Sequence, residues 1–462
     1  MKKQKNKTTG NTTKGNEGSG EVFCPPKCFM DAFLRLRPGA LKTNVTLLLA
    51  LIKESAKAGH EVVYLPQNAV RGGDCGSLNV HPAFMKALAK AESIFAKSLK
   101  KIKNAPKLKF VSMGSDPYVQ GENKGSDPLN EFSCSIVQTL LESKGSDPCF
   151  PFGGRPDEVF GRQVVGLARR LLAIGCKDVV IGLSGGLDSA LALLVSVAAF
   201  ALLELDPRGI HVYTMPGFGT TKRTRGNADL LAEGLGLELE TIDITSACIQ
   251  HFKDIHQPSG RHDITFENAQ ARERTQILMD KANQFNGIVV GTGDMSEIAL
   301  GWCTYNGDHM SMFGVNSGVP KTVVREVCHW WAVEHPGKAA EALLDIIATP
   351  VSPELLPSKR GKIAQKTEDR IGPYELHDFF LWHFAKDEES PKQVLASARK
   401  AFRGSYDAKA LAHWLDVFLR RLHLQSFKRN CAPDGVKVFG LNFAPDGWHV
   451  PSDISTEWMS LA

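Results

Sequence analysis

Residues 177–203, KDVVIGLSGGLDSALALLVSVAAFALL, restrict the fold of this chain more than any other stretch. Val179, Val180 and Ile181 form a short run of β-branched residues with no polar break, as in a strand buried on both faces. Gly182, Leu183, Ser184, Gly185 and Gly186 then make a glycine-rich turn. From Leu187 the pattern becomes a long apolar helix with Asp188 and Ser189 in its first turn. A strand, a turn and a helix start in that order put backbone N–H groups at the positive end of a helix dipole, where phosphate binds. Gly185 and Gly186 lack the Cβ that would hold a phosphate away, and Ser184 and Ser189 can add hydroxyl donors. The apolar run 190–203 is too short for a membrane span and is bracketed by Asp188 and Glu204. A glycine turn alone also fits ordinary strand-to-helix packing. Ser-Gly-Gly-x-Asp-Ser directly after a buried strand is much narrower and favours phosphate.

A chain of 462 residues suggests about two or three domains with sizeable cores. Charged residues at 23% and hydrophobic residues at 43% are ordinary for a soluble globular protein. The net charge of +5 is small, and part of it sits in the Lys-rich first residues, so neither nucleic acid nor a membrane is expected as a partner. Ten cysteines are scattered without regular spacing and no hydrophobic signal segment opens the chain, which predicts free thiols in a reducing cytoplasm. Cys24 and Cys28 stand close together, but no second pair follows at metal-ligand spacing, so no zinc site is expected there.

Residues 1–22 open with Lys, Asn, Thr and Gly and no apolar periodicity, and are expected to be a disordered tail. Residues 23–150 form a small α/β segment and a linker. A helix is predicted over 45–58, a short strand over 61–65 ending at Pro66, and a basic amphipathic helix over 81–101. Periodicity is then lost over 110–148, where Gly-Ser-Asp-Pro occurs three times, from Gly114, Gly125 and Gly145, and favours turns. Within 151–462 the chain settles into alternation from Arg155 onward. Helices are predicted over 158–174, 227–235 and 265–286, with a loop to Thr224. Strands are predicted over 211–215, 239–244 and 287–290, the last ending at Gly291-Thr292-Gly293-Asp294. This predicts an α/β fold with a doubly wound, mostly parallel sheet. Ligands of such sheets gather at the carboxyl ends of strands near a topological switch point, so the two glycine-rich turns are expected to form one site.

The first turn has no Lys-Ser or Lys-Thr to close a Walker A loop. It resembles the pyrophosphate loop of the ATP-pyrophosphatase superfamily, of adenine nucleotide alpha hydrolase-like fold, whose members adenylate an acceptor oxygen and release pyrophosphate. That chemistry needs a carboxylate near the loop to hold Mg²⁺, and Asp188 is placed for it; a helix-start carboxylate facing the dipole is its other reading. Three further stretches narrow the family: DITFENAQARER from Asp263, VVGTGDMSEIALGWCTYNGDHM from Val289, and NSGVPKT from Asn316. With Ser352-Pro353-Glu354-Leu355, Ile371-Gly372-Pro373-Tyr374 and Phe427-Lys428-Arg429, they resemble NAD⁺ synthetases, most of all the synthetase domain of the glutamine-dependent form, from about Arg155 to Ser455.

The resemblance implies ATP-dependent amidation of deamido-NAD⁺, with ammonia, free or derived from glutamine, as donor and a homo-oligomer of synthetase domains as the assembly. Gly182, Leu183, Ser184, Gly185, Gly186, Leu187, Asp188 and Ser189 would hold the ATP phosphates, and Thr292 and Lys321 would also serve ATP. Asp188 and Glu297 would serve Mg²⁺, with Glu297 close to the dinucleotide. Asn268, Trp302, Cys303, Thr304, Tyr305 and Lys428 would line the deamido-NAD⁺ site, and Arg274 and Asp308 would add polar contacts. Two phosphates suit Lys and Arg, and flat rings suit Trp and Tyr. Read as ordinary structure, Trp302 is core, Arg274 a solvated helix charge and Cys303 merely small.

Residues 50–78 resemble the opening of a nitrilase-type glutaminase domain, but Gln67 stands where that family has its catalytic Glu. An amide cannot act as the base that activates a thiol. Cys75, Cys134 and Cys149 sit in no matching motif. The segment is expected to be a shortened, catalytically silent remnant, against the alternative of a working glutaminase. Another ATP-pyrophosphatase, such as a GMP synthetase or a tRNA-thiolating enzyme, would share the first turn but not the block from Thr292 to Lys321. A silent nucleotide-binding regulator would be expected to lose Asp188, Thr292 or Glu297, and all three are present.

Overall fold

The computed structural model describes residues 35–36, 41–58, 62–66, 70, 82–111, 155–349, 355–356, 367–439, 441–445 and 447–448. The tail at 1–22, Cys24, Cys28, Gln67, Cys75, Cys134, Cys149, the Gly-Ser-Asp-Pro repeats and Ser352-Pro353-Glu354 lie outside the described residues.

The N-terminal unit consists of α1 (Leu41–Lys57), β1 (Val62–Pro66), α2 (Pro82–Leu99) and β2 (Lys107–Val111). Its strands pair in parallel, Val63 opposite Leu108, over a small core that includes Leu48, Ile52, Val63, Leu65, Leu88 and Phe95. β2 corrects the expectation of irregular chain from residue 110. The alternation Lys107-Leu108-Lys109-Phe110 is a period of two, too short and too lysine-rich to stand out.

The larger unit begins with α3 (Pro156–Ile174), β3 (Val179–Gly182), α4 (Leu187–Leu202), β4 (Ile210–Thr214), α5 (Lys222–Gly234), β5 (Leu239–Thr241) and α6 (Thr245–Asp254). It continues with α7 (Ile264–Phe285), β6 (Ile288–Gly291), α8 (Met295–Leu300), β7 (Phe313–Gly314), α9 (Lys321–Glu334) and α10 (Lys338–Ile347). After α11 (Glu368–Ile371) come α12 (Tyr374–Leu381), α13 (Pro391–Ala401), α14 (Ala408–Leu424) and a 3₁₀ turn, Ser426–Cys431. The strands form one parallel sheet in the order β5-β4-β3-β6-β7. From β3 the chain moves outward on one side to β4 and β5, then returns to the other side for β6. The switch point therefore lies between β3 and β6, whose register sets Val179 opposite Ile288.

Both sheet faces are covered. Val179 and Ile181 join the main core with Leu167 and Leu171 of α3 and Leu191 and Leu194 of α4. Val180 points the other way, toward Cys248 of α6 and Ala282 of α7. α4 is apolar almost all round because it is buried almost all round, and a Leu→Ala change at Leu191 or Leu194 would cost about 2–5 kcal/mol.

Three boundaries differ most from expectation, the first being α1, which starts at Leu41 rather than 45. α5 starts at Lys222 rather than 227, because Thr221 caps it, its hydroxyl oxygen accepting from Thr224 N at 3.2 Å. β5 ends at Thr241 rather than 244. The extension of β4 reaches Pro216, which has no N–H to continue the ladder, although Ile244 N still donates to Pro216 O at 3.1 Å.

Candidate active site

The turn after β3 is tied to itself. Ser184 N donates to Ser189 Oγ (3.2 Å), Gly186 N to Ser184 Oγ (3.2 Å), and Ser189 Oγ to Gly186 O (3.0 Å). Gly185 has φ 79°, and a Cβ there would stand 2.1 Å from Thr224 O, so the position requires glycine on both counts. Gly186 caps α4 in extended conformation, leaving Leu187 and Asp188 in the helix's first turn.

The second turn, after β6, is brought against the first by Asn316, to which the sequence alone assigns no role. Its Nδ2 donates to Asp188 O and to Thr292 O, each at 2.9 Å, and its Oδ1 accepts from Gln163 Nε2 at 2.9 Å. Asn316 and Gln163 are fully buried, so this bridge is part of the core. The expectation that both turns form one site holds at the level of geometry.

Beneath the turns sits a charged cluster. Lys321 Nζ lies 2.6 Å from Asp188 Oδ2, 2.6 Å from Asp294 Oδ2 and 3.0 Å from Glu297 Oε1, and 5.4 Å from the centre of the Tyr374 ring. Asp294 caps α8, its Oδ1 accepting from Glu297 N at 2.9 Å. Burial alone would lower the Lys321 ammonium, but Asp188, Asp294 and Glu297 outweigh it and hold its pKa well above the usual range. Desolvation, then the neighbouring carboxylates, raise Asp294 strongly and Glu297 to about 7, against the opposing pull of Lys321. The cluster is fixed from behind by Asp378, which accepts from Ser296 Oγ and from Thr322 N (2.9 Å) and Oγ1 (2.6 Å), while Ser296 Oγ accepts from Lys321 N at 2.8 Å.

The cluster fits Mg²⁺. Asp188, Asp294 and Glu297 each bring a carboxylate oxygen within 4.8 Å of the others, all hard ligands. With all three carboxylates ionised, as a bound cation would favour, one lysine leaves two negative charges in excess. Asp188 Oδ1 is buried with no hydrogen-bond partner among the described residues, an acceptor still to be satisfied.

A cavity of about 350 Å³ opens over the carboxyl ends of β3, β4 and β6. Of the residues predicted from sequence, it is lined by Gly182 to Ser189, Arg274, Thr292, Glu297, Trp302, Cys303, Asp308 and Lys321. Asn268, Thr304, Tyr305 and Lys428 are not in its wall but hold the loop that is. Thr304 Oγ1 donates to Asn268 Oδ1 (2.8 Å), Thr304 N to Asp308 Oδ1 (2.6 Å), and Arg272 Nη2 to Tyr305 O (3.2 Å). Lys428 Nζ donates to Gly301 O (2.9 Å) and Cys303 O (2.7 Å), so it clamps backbone. Trp302 lies under the Arg421 guanidinium, 5.1 Å from ring centre to Cζ. Arg274 is a cavity residue whose Nε donates to Met215 O at 2.9 Å, not a solvated charge. Surroundings shielded from water, and Asp308, push the Cys303 thiol up.

Sequence reasoning did not name Asp294 as the third carboxylate. Its sequence signal, an Asp after Gly-Thr-Gly at a strand end, is the same as that of a helix cap, and it serves as both.

A glycine-rich turn, a carboxylate cluster and an open cavity meet at the switch point of a parallel sheet, the place where α/β proteins of this class bind ligands. A family model described as NAD synthase matches residues 160–404, and the chain belongs to that family. It is 38% identical over 332 residues to the glutamine-dependent NAD(+) synthetase of Mycobacterium leprae, covering 65% of this chain and 48% of that protein. It is 32% identical over 304 residues to that of Thermotoga maritima, again covering 65% and 48%. The chain thus spans about half the length of the curated relatives it matches. Its fold is similar to the crystal structure of a glutamine-dependent NAD(+) synthetase from Cytophaga hutchinsonii, with a TM-score of 0.64, 15% identity, and coverage of 92% of this chain and 97% of that one. No helix among the described residues is long and apolar enough to cross a membrane.

Proposed function

We propose that this chain converts deamido-NAD⁺ to NAD⁺ at the expense of ATP. The observation that carries this reading is the joining, through Asn316, of the phosphate turn to the Asp188–Asp294–Glu297–Lys321 cluster within the family-matched segment. The nicotinate carboxylate attacks the α-phosphate of ATP, giving an acyl adenylate and pyrophosphate; ammonia then attacks the activated carbonyl, leaving NAD⁺ and AMP. The turn 182–189 orients the phosphates, Lys321 offsets negative charge, and the loop carrying Trp302 and Cys303 shapes the dinucleotide end. Asp188, Asp294 and Glu297 would hold Mg²⁺, which when bound neutralises the leaving pyrophosphate. No nucleophilic side chain is needed.

Ammonia is the donor we infer, because Gln67 stands at the position of the glutaminase base. On this reading 151–462 is the synthetase domain and 23–150 a silent glutaminase-like segment. Purified chain given ATP, Mg²⁺ and deamido-NAD⁺ should form NAD⁺ with ammonium salts and little with glutamine alone, and Gln67→Glu should not restore glutamine use. Turnover with glutamine equal to that with ammonium would refute the donor assignment; none with ammonium would refute the activity.

A further inference from the structure

The thiol of Cys431, at the end of the 3₁₀ turn Ser426–Cys431, stands 3.3 Å from His309 Nε2. The other ring nitrogen, Nδ1, lies 2.9 Å from the carbonyl oxygen of Thr304. A carbonyl brings no proton, so Nδ1 is the protonated nitrogen of neutral His309 and Nε2 turns a lone pair on the thiol. When the thiol proton moves to Nε2, both ring nitrogens become donors, and each already faces an acceptor. The base is set for proton transfer without any rearrangement.

The other described cysteines lack such a partner. Cys248 and Cys328 are buried, and Cys303 is shielded and beside Asp308. Cys176 is half-buried like Cys431, but its sulfur meets the carbonyl oxygens of Asp178 (3.1 Å) and Asn286 (3.8 Å), which cannot take a proton.

The position of the pair matters as much as its chemistry. Cys431 Sγ also reaches Lys428 O at 3.6 Å, and Lys428 Nζ clamps Gly301 O and Cys303 O. His309 holds Thr304 O. Both neighbours of the thiol therefore grip the loop whose Trp302 and Cys303 line the cavity.

We propose that Cys431 is a site of oxidation by peroxides, with His309 as its general base, and that oxidation loosens the dinucleotide end of the cavity. The Cys431 proton passes to His309 Nε2, and the thiolate sulfur attacks one oxygen of the peroxide. The S–O bond forms as the O–O bond breaks, and the departing hydroxide takes the proton from His309 and leaves as water. Sulfur is oxidised by two electrons to a sulfenic acid, and the peroxide is reduced. The added oxygen enters between the His309 ring and the Lys428 carbonyl, where both clamps meet. The consequence for turnover rests on the activity proposed above; the oxidation itself does not.

The test treats the full chain with hydrogen peroxide, traps sulfenic acid with dimedone and compares peptides by mass spectrometry. Cys431 should label at least about tenfold faster than Cys176, and His309→Gln should bring it down to the rate of Cys176. Equal rates for the two cysteines in the native chain would overturn the proposal, as would an undiminished Cys431 rate in His309→Gln shown folded by circular dichroism. If that variant does not fold, the comparison within the native chain decides. In the activity arm, peroxide should raise the KM for deamido-NAD⁺ several-fold more than that for ATP, reversibly by dithiothreitol, and Cys431→Ser should be insensitive. A serine variant as sensitive as the native chain would overturn the coupling to the cavity. A chain without synthetase activity would instead refute the function and leave the labelling result standing.

Discussion

Replacing Lys321 by methionine removes a charge while keeping most of the side-chain volume. Lys321 is 4% exposed and faces Asp188, Asp294 and Glu297 at 2.6, 2.6 and 3.0 Å, so Lys321→Met leaves three carboxylates without their counterion. Breaking a buried ion pair by deleting one partner destabilises by about 3–5 kcal/mol. For a domain of this size that is roughly 5–15 °C in Tm. The measurement belongs at pH 8. Glu297 has a folded-state pKa raised to about 7, so protons bound there favour the fold below about pH 4.5, and the benefit is lost as pH rises through 7. At pH 6 a proton would partly take the place of the missing ammonium and mask the effect. Added Mg²⁺ should then do what Lys321 did: at about a hundredfold excess over its Kd a ligand returns about 2.7 kcal/mol. Melting both proteins by calorimetry with EDTA and with MgCl₂ should show a large deficit in the variant that magnesium mostly repairs, and a smaller gain in the native protein. A variant that melts with the native protein in EDTA, or equal magnesium gains for both, would refute the assignment of this cluster as a cation site.

Asp188→Asn should abolish ATP–pyrophosphate exchange with the circular dichroism spectrum unchanged; near-normal exchange at saturating magnesium would sink the role given to Asp188. Lys428→Ala removes two charge-assisted hydrogen bonds to Gly301 O and Cys303 O, so it should lose about 2–4 kcal/mol of stability and raise the KM for deamido-NAD⁺ more than that for ATP. Unchanged urea denaturation would show that the clamp contributes nothing. His377 is buried, its Nε2 lies 2.6 Å from Ile371 O, and burial depresses its pKa to about 4. The unfolded chain binds a proton from about pH 6.5 downward and the folded chain does not, so stability should fall by about 3 kcal/mol between pH 6.5 and 4 from this group alone. In His377→Gln that part of the urea-measured decline should disappear, and an identical pH profile would disprove it.

The sheet and the glycine-rich turn were legible because burial on two faces leaves an unbroken β-branched run, and Ser-Gly-Gly-x-Asp-Ser directly after it marks a strand-turn-helix junction. α7, capped by Asp263, was legible to within a residue at each end, whereas the capped start of α5 was not. What could not be read is side-chain partnership across long separations. Asn316 meets Asp188 O from 128 residues away, and Lys321 meets the same residue's carboxylate from 133. Neither pairing leaves a periodic trace. Lys428 was expected to line the dinucleotide site, yet the structure sets it outside the cavity wall, holding carbonyls. A positive charge on a predicted loop reads the same whether it faces a phosphate or a carbonyl. β7, only Phe313–Gly314, is too short for any pattern.

The helix that follows the glycine-rich turn is also deeply embedded, with Leu191, Leu193, Leu194 and Val195 all at 1% exposure or less. Its first turn cannot swing without dragging core residues into water. That turn is therefore an anvil rather than a jaw, whereas the Trp302 loop of the same cavity hangs on a few side-chain clamps. A substitution deep in the core, far from any ligand, should thus first announce itself as weakened nucleotide affinity, at temperatures where the rest of the molecule still holds its shape.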